Sequence, residues 1–286
     1  MSFGFVPPKK TGILKKDIKI FINTLFIRVF GWPNLLKRVE FSDFKNLIQF
    51  EKMDSVLEIG SGNPAAYAIE FSKNVYKYIA TDIHDIEYMN NWNIPNSLTA
   101  IKCNVYNLEF DDNSFDKIIM SEVMPVLEKP ELALKELFRV LKPNGKLFLI
   151  NGDHFHDIEE LYSSRSIITK LIKNFGISRS NLPSSYSNFK KEYMSLHNTN
   201  IKFFQNRDEY IKLYSIKSGF SEIKTNYTFG KRAIKFFAFL LFLKVSVTGN
   251  ALLPKYYIVF LPILKFLNKV DSKKEFCIIH EMVAKK

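Results

Sequence analysis

Between residues 54 and 150 short apolar runs alternate with segments of helical spacing, and no other feature of the 286-residue chain restricts its folding as much. The runs at 55–59, 78–81, 98–103, 115–120 and 146–150 are predicted strands, and 65–72, 86–92 and 130–141 predicted helices. The last helix opens on Pro130, repeats Leu132, Leu134, Leu137, Val140 and Leu141, and stops before Pro143-Asn144-Gly145. Strand and helix in alternation predict a mostly parallel sheet covered on both faces.

The first run ends as VLEIGSG. A strand that delivers Glu58 and then passes through Gly60-Ser61-Gly62 into a helix makes a nucleotide-binding corner, because glycines let the backbone approach a ligand closely. Gly-Ser-Gly at a strand end is also a common tight turn, so its surroundings decide. Asp82 ends the next strand, 20 residues after Gly62, where a carboxylate can accept hydrogen bonds from both ribose hydroxyls. Cys103-Asn104-Val105 follows the third strand and FDDNSFDKIIMSEV surrounds the fourth.

VLEIGSG, ATDI, CNV, NSFDKIIMSEV and ELALKELFRVLKPNGKLFLI together resemble the class I S-adenosylmethionine-dependent methyltransferases of the small-molecule, type 11-like group, over about residues 54–150. The resemblance implies an α/β, Rossmann-like fold: a seven-stranded sheet of order 3-2-1-4-5-7-6 with strand 7 antiparallel, strands six and seven being 220–228 and 275–284. It implies S-adenosyl-L-methionine as cofactor. Glu58, Gly60, Ser61 and Gly62 would cradle its methionine part, with Glu58 near the ammonium group. Asp82 would hold the ribose, Ile83 would pack on the adenine, and Asn104 with Val105 would meet the adenine edge. Ser121 and Glu122 would lie close to the sulfonium and the incoming substrate. Two positions depart from the family pattern: Pro64 stands for the third glycine and Asn104 for an aspartate. Proline suits the first turn of a helix, and asparagine offers both an acceptor and donors.

Such a cofactor carries its methyl group on a positively charged sulfur, so the reaction is an in-line displacement in which the protein aligns donor and acceptor and excludes water. A hydroxyl acceptor would be helped by a base. His154 and His156 in INGDHFHD, just past strand five, are the candidates beside Glu122, since ligands bind beyond the carboxyl ends of such strands. The two histidines also read as ordinary loop residues, and with Asp153 and Asp157 they make too small a set to predict a metal.

Residues 1–53 form a basic, amphipathic N-terminal segment and 54–286 the domain, with a substrate-side insertion at 151–204 and an apolar, basic insertion at 229–274. Charge follows this division: +6 over 1–53, −5 over 54–150 and +11 over 151–286, within a net charge of +12. Basic flanks around an acidic centre point to an anionic surface met by the flanks. Ile18, Phe21, Ile22, Leu25 and Val29 recur at helical spacing among lysines, and 229–274 carries two apolar runs, 236–243 and 256–264, each far short of the roughly 20 residues needed to span a bilayer. Both segments suit helices lying in a membrane interface, or else packing on the domain or forming a homodimer interface. Cys103 and Cys277 sit far apart in apolar runs and predict neither a disulfide framework nor a metal site. The opening residues lack a secretory pattern, so the expectation is a cytoplasmic protein, peripheral on the inner face of the cell membrane. Its partners would be a lipid-linked or amphipathic small-molecule substrate and an anionic membrane surface. Nucleic acid is not expected, because the charge lies beside apolar runs rather than along a polar groove.

Overall fold

The structure, a computed structural model, describes residues 35–62, 66–87, 90, 94–151, 207–248 and 259–286. The N-terminal helix expected around Ile18 to Val29, Pro64, most of the helix at 86–92, and the 151–204 insertion beyond Asn151, with His154 and His156, lie outside these residues.

The chain enters through helix α1 (Leu35–Ile48) and then alternates β1 (Ser55–Ile59), α2 (Ala66–Phe71), β2 (Lys77–Asp82), β3 (Leu98–Lys102), β4 (Phe115–Ser121), α3 (Pro130–Val140) and β5 (Leu141–Asn151). It continues with α4 (Arg207–Lys217), β6 (Ser221–Gly230), α5 (Lys231–Thr248), α6 (Leu261–Val270) and β7 (Lys274–Val283). The seven strands pair in the order β3-β2-β1-β4-β5-β7-β6. β1 to β5 run parallel, and β7 is antiparallel to both β5 and β6, as the resemblance implies.

Alternation along the strands divides the core into two layers. Val56, Tyr78, Ala80, Ile119 and Phe148 face one side, beneath Phe44 and Ile48 of α1 and Tyr67 and Phe71 of α2. Leu57, Ile59, Ile118, Met120 and Leu149 face the other, beneath Leu134 and Leu137 of α3 and Ile211 of α4. At the amino edge of the sheet the buried Lys117 ammonium donates to Asp54 at 2.5 Å and to the Gln49 carbonyl at 3.0 Å, which ties the end of α1 to β1 and β4.

The insertion after β6 is helical. β6 runs through Gly230 and β7 starts at Lys274, so the inserted segment is 231–273 rather than 229–274. Ser221 pairs with Val283 at the amino edge, where Lys146 also pairs, while Gly230 pairs with Lys274 beyond the Asn151–Ile278 pair. The α5–α6 hairpin therefore leaves and rejoins the sheet at the carboxyl edge of the parallel strands. Ala233, Ile234 and Leu240 of α5 and Leu264 of α6 pack with Phe229 and with Val39 of α1 into a third, smaller core. The Asp271 carboxylate caps α5 by accepting the Arg232 N–H at 2.8 Å, and Asn268 bridges the Gly230 N–H and the Thr228 carbonyl, both at 3.0 Å. Gly230 has to be glycine here, since a Cβ would lie 2.1 Å from that of Asp271.

Candidate functional site

The turn after β1 bends through two left-handed glycines, Gly60 at φ +67° and Gly62 at φ +71°. It is stitched to β2 by the Ser61 N–H and hydroxyl, which both donate to the Thr81 carbonyl, at 2.9 and 3.2 Å. The two glycines are required for different reasons. A Cβ on Gly60 would sit 2.2 Å from Cγ2 of Val123, a side chain from the end of β4 that fills the space beneath the turn. A Cβ on Gly62 would meet nothing within 4 Å, so the turn opens there onto free space.

Asp82 closes that space from the next strand. One carboxylate oxygen accepts the Gly62 N–H at 2.9 Å and the other accepts the His84 N–H at 2.9 Å. Two backbone donors fix the plane of the carboxylate, and an ionised oxygen retains a second acceptor position, so one hydroxyl per oxygen can still be taken. Beside it Ile83 is 57% exposed, an apolar side chain offered to a flat partner at the edge of the sheet.

Glu58 lies elsewhere than at an open face. It is 1% exposed, points into the layer beneath α1 and α2, and accepts the Tyr78 hydroxyl at 2.8 Å. Burial, and then the Glu58 charge, push the Tyr78 phenol well up from its ordinary range. The Thr81 hydroxyl donates to the Glu58 carbonyl at 2.8 Å. Glu58 therefore braces β1 against β2 directly under the glycine turn.

After β3 the chain makes a tight turn in which Asn104 Oδ1 accepts the Tyr106 N–H at 3.0 Å, while the Asn107 N–H reaches the Asn104 carbonyl at 3.0 Å. Asn104 is exposed, with its amide nitrogen left without a partner among the described residues, and Val105 packs partly against the core. This loop is held from α3. The Arg139 guanidinium donates to the Leu108 and Phe110 carbonyls at 2.8 Å each, to Asp112 at 2.7 Å, and in a two-pronged pair to Glu136. Glu136 also accepts the Leu108 N–H at 3.1 Å. The hydrogen bonds from Arg139 hold the Glu136 carboxyl below its usual range.

At the end of β4, Ser121 is buried and Glu122 takes φ +60°, its N–H donating to the Ile150 carbonyl at 2.8 Å. The structure thus gathers Gly60, Ser61, Gly62, Asp82, Ile83, Ser121 and Glu122 along one carboxyl edge, with Asn104 and Val105 beyond β3. Among the described residues no three His, Cys, Asp or Glu side chains gather as a metal site, and burial raises the Cys103 thiol, which keeps it protonated.

Four partnerships escaped the reading of the sequence. Val123 under Gly60 and Tyr78 on Glu58 join strands that are neighbours only in the sheet. Arg139 with Glu136 had a local signal, an acid three residues before the arginine of RVLKPNG on one helix face. The fourth lies between α4 and β7, where fully buried His280 meets Asp208 at 2.8 Å and Asp208 also holds Lys212 at 2.7 Å.

Residues 57–149 match the family described as a methyltransferase domain. Among curated relatives, the ubiquinone/menaquinone biosynthesis C-methyltransferase UbiE of Salmonella arizonae is 32% identical over 105 residues, 34% of this chain and 41% of that protein. The chain thus spans less than half the length of the curated relatives it matches first. A methyltransferase of Haloferax volcanii, solved with the Trm112 methyltransferase activator, aligns over 87% of this chain and 92% of its own at 15% identity and a TM-score of 0.51. Phosphoethanolamine N-methyltransferase 2 of Haemonchus contortus, solved with S-adenosyl-L-methionine, aligns over 97% of this chain and 59% of its own at 16% identity and a TM-score of 0.52. At these identities the likeness to the two solved structures is one of fold.

Proposed function

We infer that this chain, whose residues 57–149 form a class I S-adenosylmethionine-dependent methyltransferase domain, transfers a methyl group to a lipid-linked or amphipathic acceptor while peripheral to the cytoplasmic face of a membrane. The observation that carries the cofactor half is Asp82. Its carboxylate is oriented by two backbone N–H groups, keeps one acceptor position on each oxygen for a pair of adjacent hydroxyls, and stands beside exposed Ile83.

When bound, S-adenosyl-L-methionine supplies an electrophilic methyl group on a positively charged sulfur. Gly60, Ser61 and Gly62 admit the methionine part on the side where Gly62 opens onto free space, and Glu58 supports that turn from beneath, in place of the open contact to the ammonium first expected of it. Asn104 has its side-chain carbonyl committed to the Tyr106 N–H, so it meets the adenine edge chiefly as a donor, with Val105 packed behind it. Ser121 and Glu122 border the acceptor, and their main task is alignment and the exclusion of water. His154 and His156 supply the base if the acceptor is a hydroxyl.

The acceptor class is supported by position and composition. The apolar hairpin α5–α6 joins the sheet at the same carboxyl edge as the glycine turn, and residues 223–270 hold eight Lys/Arg and no Asp/Glu. A second reading, a soluble metabolite as acceptor with the hairpin as lid or dimer interface, draws support from the third core, in which α5 buries apolar residues against the domain. Incubating the protein with methyl-labelled cofactor and extract of the source cells, then partitioning between organic solvent and water, separates the two. Label in the organic phase is the expected result. Label confined to the water phase selects the second reading, and label in neither overturns methyl transfer.

A further inference from the structure

The third core leaves one face of α6 uncovered. Val259, Ile263, Phe266 and Val270 recur at intervals of four, three and four residues, so they fall in one stripe on the side of the helix opposite Leu264 and Asn268, which are buried. Val259 is 65% and Phe266 62% exposed. Helical spacing puts Lys265 and Lys269 in a row along one border of the stripe, and both are exposed, as are Lys231 and Lys235 in the first turns of α5. Among the described residues Lys235, Lys265 and Lys269 form no ion pair with an acidic side chain, whereas the nearby Arg232 and Lys273 are paired with Asp271 and Glu275, and the Glu275 carboxylate also feels the charge of Lys231.

We propose that this face of α6 docks the protein on an anionic lipid bilayer, with Val259, Ile263, Phe266 and Val270 among the acyl chains and Lys265 and Lys269 at the phosphates. The charge of the surface selects that occupant. A second copy would set the same unpaired lysines against each other, and residues 1–34 of this chain, with six Lys/Arg and one Asp, would be repelled likewise. An apolar stripe bordered by lysines is the pattern that lies in a lipid interface and is strengthened by negative headgroups. Such a stripe makes its contact along the surface, and none of the described helices is long and apolar enough to cross a membrane. The hairpin is held to the sheet by Asp271 and Asn268, so the docked face is fixed with respect to the carboxyl edge of the strands. This docking face rests on the reading of a membrane-borne acceptor.

The test is co-sedimentation of the full chain with vesicles of phosphatidylcholine alone and of equimolar phosphatidylcholine and phosphatidylglycerol. Binding to the mixed vesicles, released by high salt, and far weaker binding to phosphatidylcholine is the expected result. Lys265→Gln with Lys269→Gln should lower the partition coefficient by about twentyfold. Ile263→Ser with Phe266→Ser should lower it on the order of tenfold or more. All four side chains are exposed, so the melting temperature should hold, and if the serine variant fails to fold the lysine variant decides alone. Equal binding to both vesicle types, no binding, or variants that bind like the parent would overturn the proposal. So would a concentration-dependent dimer that the serine variant abolishes, since the face would then belong to a second copy. Titration of each variant with S-adenosylhomocysteine keeps the outcomes separate: unchanged affinity with vesicle binding absent refutes docking and leaves the methyltransferase reading intact.

Discussion

Gly60 shows how one residue is fixed by a neighbour that sequence proximity does not reveal. Its φ of +67° alone makes alanine there cost about 1–2 kcal/mol, and the Val123 methyl 2.2 Å from the would-be Cβ adds a clash on top. Gly60→Ala should therefore destabilise the fold by about 2–4 kcal/mol in denaturant titration, and Val123→Ala introduced with it should recover about half of that loss. Additive effects of the two substitutions would show that the turn and Val123 do not share this space. At Gly62 the backbone is strained in the same sense but the space is open, so Gly62→Ala should cost about 1 kcal/mol of stability while weakening cofactor binding more than tenfold. The glycines and Asp82 were legible because a left-handed turn and a strand-end carboxylate each leave a mark in one short stretch. Val123 was not, since the turn and the end of β4 lie 63 residues apart and meet only once β1 and β4 pair. Glu58 was legible as a member of the turn but not in its orientation. Its position on β1, two residues from Val56, sends it into the layer of Tyr78 and Tyr67 rather than toward the turn's open side.

At the scale of elements, α3 does more than cover the sheet. Arg139 and Glu136 clamp the loop between β3 and β4, and that loop begins with Asn104. Arg139→Ala would leave the Leu108 and Phe110 carbonyls and the Glu136 carboxylate without their donor, a loss of about 2–3 kcal/mol in stability. It should also weaken cofactor binding, though no atom of Arg139 belongs to the cofactor edge; unchanged binding would mean the loop keeps its shape unaided. The Glu136 carboxyl is held below its ordinary 4.5, first by the hydrogen bonds of Arg139, so its contribution is present above that value and disappears as pH falls through the lowered one. The same sign holds for Asp208. Burial alone would raise it, but Lys212 and His280 outweigh burial and bring it below 3.8. Asp208→Asn and Arg139→Ala should each flatten the loss of stability on acidification, measured as denaturation midpoints from neutral pH down to about 3. A parallel slope in parent and variants would contradict these assignments. Elements themselves were well marked: α3 falls where its apolar spacing and its opening Pro130 put it. The strand that opens β5 at Leu141 was not, because Leu141 to Pro143 carries a helix-stop signature, and only pairing of Leu141 with Phe115 across a bulge makes it strand.

For the whole molecule, seven strands in the order expected from the resemblance bring the turn after β1, the end of β2, the loop after β3 and the end of β4 to one edge. That edge follows from parallel strands whose connections return the chain each time to the amino edge, so the alternation marked where these strand ends gather. The hairpin α5–α6 was legible as an apolar, basic insertion but not as a layer. Its buried residues are told apart from the exposed stripe only by the third core, where Phe229 and Val39 arrive from β6 and α1. Deleting 231–269 should consequently do two things at once: release the protein from anionic vesicles and destabilise the fold through loss of that core. Loss of vesicle binding with full stability would mean that the third core adds nothing to the domain. The central claim, that the Gly60–Asp82 edge holds S-adenosyl-L-methionine, is tested most directly by calorimetric titration of the full chain and of Asp82→Ala with S-adenosylhomocysteine. Saturable one-to-one binding by the parent, weakened by about tenfold to a hundredfold in the variant as two hydrogen bonds to a charged acceptor are lost, is the predicted result. No binding by the parent, or equal affinity in both, would contradict it.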